Sequence, residues 1–159
     1  MSAVAKDKTT TGRCLCGAIS FQFTGPPSGV DYCHCDSCRR NCSAPLTAFI
    51  EVPRDNFSFS GDTPKIYESS PGIRRLFCGA CGSPLAYDAD WDKTDIHLYV
   101  ASLDDPDAFP PSAHVFSNEQ LSWFEVADEL PRYAGSMIDE QPIRHGAREI
   151  PDASAPDTA

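Results

Sequence analysis

Eight cysteines gathered into three short clusters constrain this 159-residue chain more than any other feature. The clusters read Cys14-Leu15-Cys16-Gly17, then Cys33-His34-Cys35-Asp36-Ser37-Cys38, then Cys78-Gly79-Ala80-Cys81-Gly82, with Cys42 standing four residues after Cys38. A chain of this length buries ~68–70% of its unfolded surface and needs no covalent staple to hold a core. Its cysteine content, about 5%, lies below the ~8–10% typical of a short secreted disulfide scaffold. The clusters therefore ask for another reading.

Zinc takes four ligands in a tetrahedron, with sulfur at ~2.3 Å. Cys14 and Cys16 with Cys78 and Cys81 would make a closed four-sulfur site tying the first strand to the middle of the domain. Gly17, Gly79 and Gly82 permit positive φ, which turns backbone amides toward the sulfurs. Disulfides, a redox-active C-x-x-C and free thiols are the alternatives, and eight cysteines allow 105 pairings. A redox C-x-x-C is expected to open a helix in a βαβ setting. Here Cys78 follows a strand-like run, and Gly82-Ser83-Pro84 follows Cys81. The middle cluster offers three thiolates within six residues and leaves a fourth position of a metal unfilled. That separates it from a closed structural site, because catalytic zinc keeps a position for water or substrate. His34 lies between two ligands, so its side chain is expected to point away. Cys42 would face the same way as Cys38 on a helix; it is either a fourth ligand or a small buried apolar residue.

Charge narrows the partners. Thirteen Lys and Arg face 23 Asp and Glu, a formal net charge of −10. Phosphates find no chain-wide attraction here, which argues against nucleic acid. A four-thiolate and a three-thiolate zinc would take the total near −13. Arg39, Arg40, Arg74 and Arg75 lie near the clusters, as solvated charges or as partners for an anionic substrate. His97 and His114 are candidate bases. Met1–Arg13 lacks the ~7–15-residue apolar run of a signal peptide. The longest uncharged stretch, Cys14 to Val30, is too polar for a ~20-residue membrane span. A cytoplasmic chain without membrane contact is expected, a compartment in which clustered cysteines hold metal or do redox chemistry.

Between the clusters the pattern has period two. Strands are expected at Ala18–Phe23, Leu46–Val52, Asn56–Ser60, Lys65–Glu68, Ile73–Phe77 and Asp95–Ala101, each bounded by turn formers, as in antiparallel sheets. Helix is scarce: one or two turns at Asp36–Asn41, and a short turn at Asp104–Phe109 with Pro at its first position. Glu119–Val126 fits helix or strand. Residues 1–11 read as a flexible N-terminus, 12–133 as the folded zinc domain, and 134–159 as a partly disordered extension ending in Pro151–Ala159.

These segments resemble the glutathione-dependent formaldehyde-activating enzyme family, also called the centromere protein V domain family. The likeness rests on Cys14-Leu15-Cys16-Gly17-Ala18, Cys33 to Arg40, and Phe77-Cys78-Gly79-Ala80-Cys81-Gly82-Ser83-Pro84-Leu85. Ser102-Leu103-Asp104-Asp105-Pro106, His114 and Leu130-Pro131-Arg132-Tyr133 add to it. The resemblance implies a mainly β fold, a β-tent of antiparallel sheets around a structural zinc. It implies that Cys14, Cys16, Cys78 and Cys81 hold that zinc, and that Cys33, Cys35 and Cys38 hold a second, catalytic one. The reaction it implies joins formaldehyde to glutathione, giving S-(hydroxymethyl)glutathione, or runs in reverse as a carbon–sulfur lyase step. Asn41-Cys42-Ser43 departs from the small non-cysteine residues expected there, and Cys42 as a ligand would close the site.

The leading expectation is a zinc-dependent carbon–sulfur lyase acting on a small thiol and an aldehyde. An anionic thiol would call on Arg39 or Arg74. A non-catalytic zinc module, with Phe109, Phe116, Trp123 and Phe124 as its surface, and a thiol redox protein using Cys35 and Cys38 are the rivals.

Overall fold

The structure, a computed structural model, describes residues 8–138 and 141–147. It is mainly β, with one short α-helix and a few 3-10 turns. Strands β1 (Thr9–Arg13), β2 (Ile19–Thr24) and β5 (Phe57–Gly61) form a three-stranded antiparallel sheet in the order β1-β2-β5. The second sheet takes β3 (Gly29–Cys33), β4 (Thr47–Pro53), β6 (Lys65–Ser70), β7 (Ile73–Phe77), β8 (Pro84–Ala89) and β9 (Asp95–Tyr99). It is extended by the two-residue strands β10 (His114–Val115), β11 (Pro131–Arg132) and β12 (Arg144–His145). Its order is β12-β11-β10-β3-β4-β9-β8-β7-β6, antiparallel except where β10 runs parallel to β3 and to β11. Helix α1 (Asp36–Cys42) follows β3 directly.

All six expected strands form within a residue or two of their expected bounds. Alternation explains why. In β2, Ile19, Phe21 and Phe23 are buried while Gln22 and Thr24 face water. They pack with Ile50, Val52, Leu85, Ile96 and Leu98 from one face of the large sheet. Each such side chain contributes ~1.5–3 kcal/mol when fully buried. The opposite face of the same sheet carries a second cluster around Cys33, Phe49, Tyr99 and Val115. Every central strand therefore has one face on the core and one on a separate, polar-lined layer. At the β5 turn, Gly61 has φ +82° and would place a Cβ 2.3 Å from the Ala18 carbonyl oxygen, so only glycine fits.

Four differences from the sequence reading stand out. Ordered chain continues past both expected bounds of the domain: Thr9–Thr11 pair with β2, and β12 pairs with β11. The N-terminal residues 1–7 and the tail Pro151–Ala159 lie outside the described residues. Within Glu119–Val126 only Glu119 is helical, as the end of a 3-10 turn, and the rest is neither helix nor strand. Its backbone is held by side chains instead: Gln120 Nε2 donates to the Phe124 carbonyl, and Arg132 Nη2 to the Val126 carbonyl, both at 2.8 Å. Gly79 lacks the expected positive φ, which Gly17 (78°) and Gly82 (75°) do have; at Gly79 the flexible Lys65 side chain lies where a Cβ would go.

A carboxylate strut ties the sheet edge. Asp88 of β8 accepts from Arg54 Nη2 and Arg74 Nε, each at 2.6 Å. Burial pushes its carboxyl up, but the Arg74 and Arg54 bonds outweigh burial and hold it below the usual range. The depressed value adds stability that is complete above about pH 5 and is lost as pH falls from ~3.9 through the folded value. Asp88→Asn should flatten that acid limb and lower neutral-pH stability by about 1–3 kcal/mol. Urea midpoints at pH 3–7 check this, and an unchanged pH profile would contradict it.

Candidate metal centres

The first centre joins the turn after β1 to the turn after β7. The sulfurs of Cys14, Cys16, Cys78 and Cys81 lie within 4.8 Å of one another. Cys14 and Cys16 are 3.5 Å apart, and Cys16 and Cys78 are 3.8 Å apart. A disulfide needs ~2.05 Å. The edge of a sulfur tetrahedron with ~2.3 Å metal–sulfur bonds is about 3.8 Å. The donor set thus fits a zinc ion of the four-sulfur class. Backbone and hydroxyl groups surround it: Ile19 N–H donates to Cys14 Sγ at 3.3 Å, and Ser83 Oγ lies 3.2 Å from Cys81 Sγ. Bonds to Ser83 draw the Cys81 thiol down to about 5. Cys14 and Cys78 are each 1% exposed and belong to the main core.

The second centre lies on the other face of the large sheet. Cys33 ends β3, Cys35 is the N-cap of α1, and Cys38 is in its first turns. Their sulfurs also fall within 4.8 Å of one another. Cys35 Sγ accepts the Cys38 N–H at 3.3 Å, the helix-capping bond itself. The three sulfurs share protons unequally. Hydrogen bonds from Cys33 and Cys38 draw the Cys35 thiol down to about 2, while Cys33 is pushed far up by Cys35 and Cys38 and by burial. A cation among them would remove that conflict, so this set also fits a metal. Arg75 Nη1 donates to Cys38 Sγ at 3.4 Å and lies 4.8 Å from the Tyr87 ring centre.

Cys42 does not join the triad. It ends α1 with its sulfur 3.8 Å from Thr47 Oγ1, packed in the second cluster. His34 points away as expected, fully buried, with Nε2 2.8 Å from His114 Nδ1. His114 in turn meets Asp128 at 2.9 Å. His114 therefore belongs to a buried network with the fully buried Arg132, which bonds Asp128 and Glu125. Of the expected arginines, Arg39 is spent on the His34 carbonyl and Asp36, Arg40 on Asp36, and Arg74 on Asp88 and Asp90. None of them lines the cavity over the triad; Arg75 does.

That cavity, about 600 Å³, opens from Cys33, Cys35 and Cys38 across the sheet face. Register builds its floor: Asp31 pairs with Phe49, Glu51 with His97, His97 with Tyr87, and Tyr87 with Arg75. Phe116, Met137 and Ile138 line it from the C-terminal segment, and Trp91 with Asp92 from the turn after β8. Burial and then the neighbouring Glu51 charge push the Asp31 carboxyl up to about 7. Of the two candidate bases, His97 lines this cavity, with Nε2 2.9 Å from Asp92. Asp31, Glu51, Tyr87, Trp91 and Asp92 were not singled out from sequence. The period-two step from Cys33 back to Asp31, and from Phe49 to Glu51, was the available signal.

A family model described as glutathione-dependent formaldehyde-activating enzyme matches residues 9–119. An uncharacterized lyase of Schizosaccharomyces pombe (strain 972 / ATCC 24843) is 36% identical over 76 residues, covering 48% of this chain and 55% of the relative. The match thus spans about half the length of that curated relative. The crystal structure of a Rhodobacter sphaeroides protein aligns with a TM-score of 0.50 at 18% identity, covering 59% of this chain and 87% of the other; at that identity the likeness concerns fold alone. Among the described residues no helix is long and apolar enough to cross a membrane.

Proposed function

The chain belongs to the glutathione-dependent formaldehyde-activating enzyme family, and from that premise we propose that it is a cytoplasmic zinc-dependent carbon–sulfur lyase. It joins a small thiol of the glutathione type to an aldehyde such as formaldehyde, or splits the adduct. Cys14, Cys16, Cys78 and Cys81 hold a structural zinc, and Cys33, Cys35 and Cys38 a catalytic one. The observation that carries this reading is the three-sulfur set at the floor of a cavity of about 600 Å³, with Cys42 turned aside to Thr47. A zinc ion there would lower the pKa of an incoming thiol and fix its sulfur in place.

The chain's own groups do the rest. In the forward direction the thiol sulfur attacks the carbonyl carbon, a carbon–sulfur bond forms, and the thiol proton ends on the former carbonyl oxygen. The reverse breaks that bond and returns the proton. His97, held by Asp92, lines the cavity and is placed to exchange this proton. Arg75 offsets the negative charge that collects on Cys38. Phe49, Tyr87 and Met137 keep the reacting centre from bulk water.

Native mass of the reduced protein should show two zinc ions and no disulfide. The zinc-loaded protein should then speed adduct formation from thiol and formaldehyde above the spontaneous rate, read by carbon-13 NMR. In a cobalt-substituted sample, thiol at roughly millimolar concentration, an ordinary substrate level, should shift the visible bands. A fully metallated protein with no acceleration and an unmoved cobalt spectrum would overturn the reading.

A further inference from the structure

Among the described residues, three carboxylates line the cavity, Asp31, Glu51 and Asp92, against one arginine, Arg75. Asp92 is committed to Thr94, to the Asp95 N–H and to His97. Asp31 is not committed: its residue is 6% exposed, it faces the cavity, and its carboxylate has no hydrogen-bond partner among the described residues. Glu51 leans over its cross-strand partner Gly29, where a Cβ would come within 2.9 Å of Glu51 Oε2, on the same face of β3 as Asp31. Glu51 Oε1 lies 3.7 Å from His97 Nδ1. Arg75, the cavity's arginine, is already engaged by Cys38 and the Tyr87 ring. A buried carboxyl without a partner either stays neutral or pairs with a cation that arrives from the cavity. The wall between is aromatic, made of Phe49, Tyr87 and Trp91. Aromatic faces attract a cation and cover its carbon chain.

We propose that the thiol taken by this site carries an ammonium group, which Asp31 and Glu51 receive while its sulfur lies at Cys33, Cys35 and Cys38. The assignment of the sulfur end rests on the lyase reading above; the ammonium end rests on the cavity alone. Asp31 is two residues from Cys33 along β3, about 7 Å, so both ends fit on one small molecule a few bonds long. A thiol bearing carboxylates meets like charge at this wall. Glutathione brings two carboxylates for its one ammonium and is a poorer match than a simple aminothiol.

The test is binding without aldehyde, by calorimetry on the full metal-loaded chain at neutral pH, with three thiols of similar size: cysteamine, 2-mercaptoethanol and 3-mercaptopropionate. Cysteamine should bind about tenfold or more tighter than 2-mercaptoethanol, the scale of one charge-assisted hydrogen bond, and 3-mercaptopropionate should bind weakest. Asp31→Asn combined with Glu51→Gln should erase the cysteamine preference while leaving 2-mercaptoethanol affinity unchanged, which also reports an intact site. Glu51→Gln alone should reduce the preference in part. Equal affinities, tightest binding of the anionic thiol, no binding of cysteamine, or a preference that survives the double variant would each overturn the proposal. Failure of turnover with intact aminothiol binding would instead remove the lyase reading and leave this one standing.

Discussion

Cys35→Ser is expected to lower turnover by about 10³-fold or more while leaving the fold and the four-sulfur centre in place. Cys35 is half of two arrangements: its sulfur stands with Cys33 and Cys38, and it caps helix α1 by accepting the Cys38 N–H. Serine keeps an oxygen acceptor for that cap, so α1 loses little, since Ser is itself a good N-cap. It does not replace a thiolate as a soft ligand. A metal centre supplies several kcal/mol of transition-state stabilisation, and ~4 kcal/mol is about 10³-fold in rate. Steady-state rates, circular dichroism and the metal count by native mass check all three parts together. Cys42→Ser is the control, with near-normal rate and metal content, because its sulfur faces Thr47. An unaltered rate in Cys35→Ser would remove the middle cluster from the chemistry.

Arg132→Met is expected to destabilise the fold by about 3–5 kcal/mol, the cost of breaking a buried ion pair from one side. Arg132 is fully buried. It bonds Asp128 at 2.9 Å, Glu125 at 3.3 Å, and the carbonyls of Leu130 and Val126 at 2.9 and 2.8 Å. Methionine fills similar length but leaves two carboxylates and two carbonyls short of a donor. Asp128 also holds His114, which reaches His34 beside the cysteine triad. The loss should therefore spread to the support behind Cys33 and Cys35. Urea unfolding with its m-value measures it, and a loss under about 1 kcal/mol would mean the network is only weakly coupled to stability.

The three cysteine clusters were legible because thiol spacing survives any detail of folding. Strands were legible where polar and apolar residues alternate cleanly, as in Ile19, Phe21 and Phe23; β8, which buries Leu85 and Ala86 side by side, was not. Strand β3 was not: Gly29-Val30-Asp31-Tyr32-Cys33 carries a glycine and an acid, and its strand form comes from pairing with β4. The loop after Gln120 was not, because Arg132, six residues beyond Val126, organises it. Arg74 and Arg75 illustrate the limit most clearly. Adjacent residues on a strand point to opposite faces, so one serves the Asp88 strut and the other the cavity. Which does which depends on register, and register is decided by the neighbouring strands rather than by the local sequence.

The two faces of the large sheet also divide the labour of heredity. Ile50, Val52, Ile96 and Leu98 hold the molecule together from one side, while Phe49, Glu51 and His97, interleaved with them, shape what the cavity accepts from the other. A codon change at Glu51 or His97 alters the lining of the cavity while leaving the main core beneath it in place, whereas Phe49 is itself packed in the second cluster. Chains built on this plan can thus change what their cavity accepts by point mutation on one face of the sheet, with the main core on the other face left in place. A shared architecture and shared cysteines are then compatible with a whole range of metabolic roles, each written in a handful of alternate positions along a few strands.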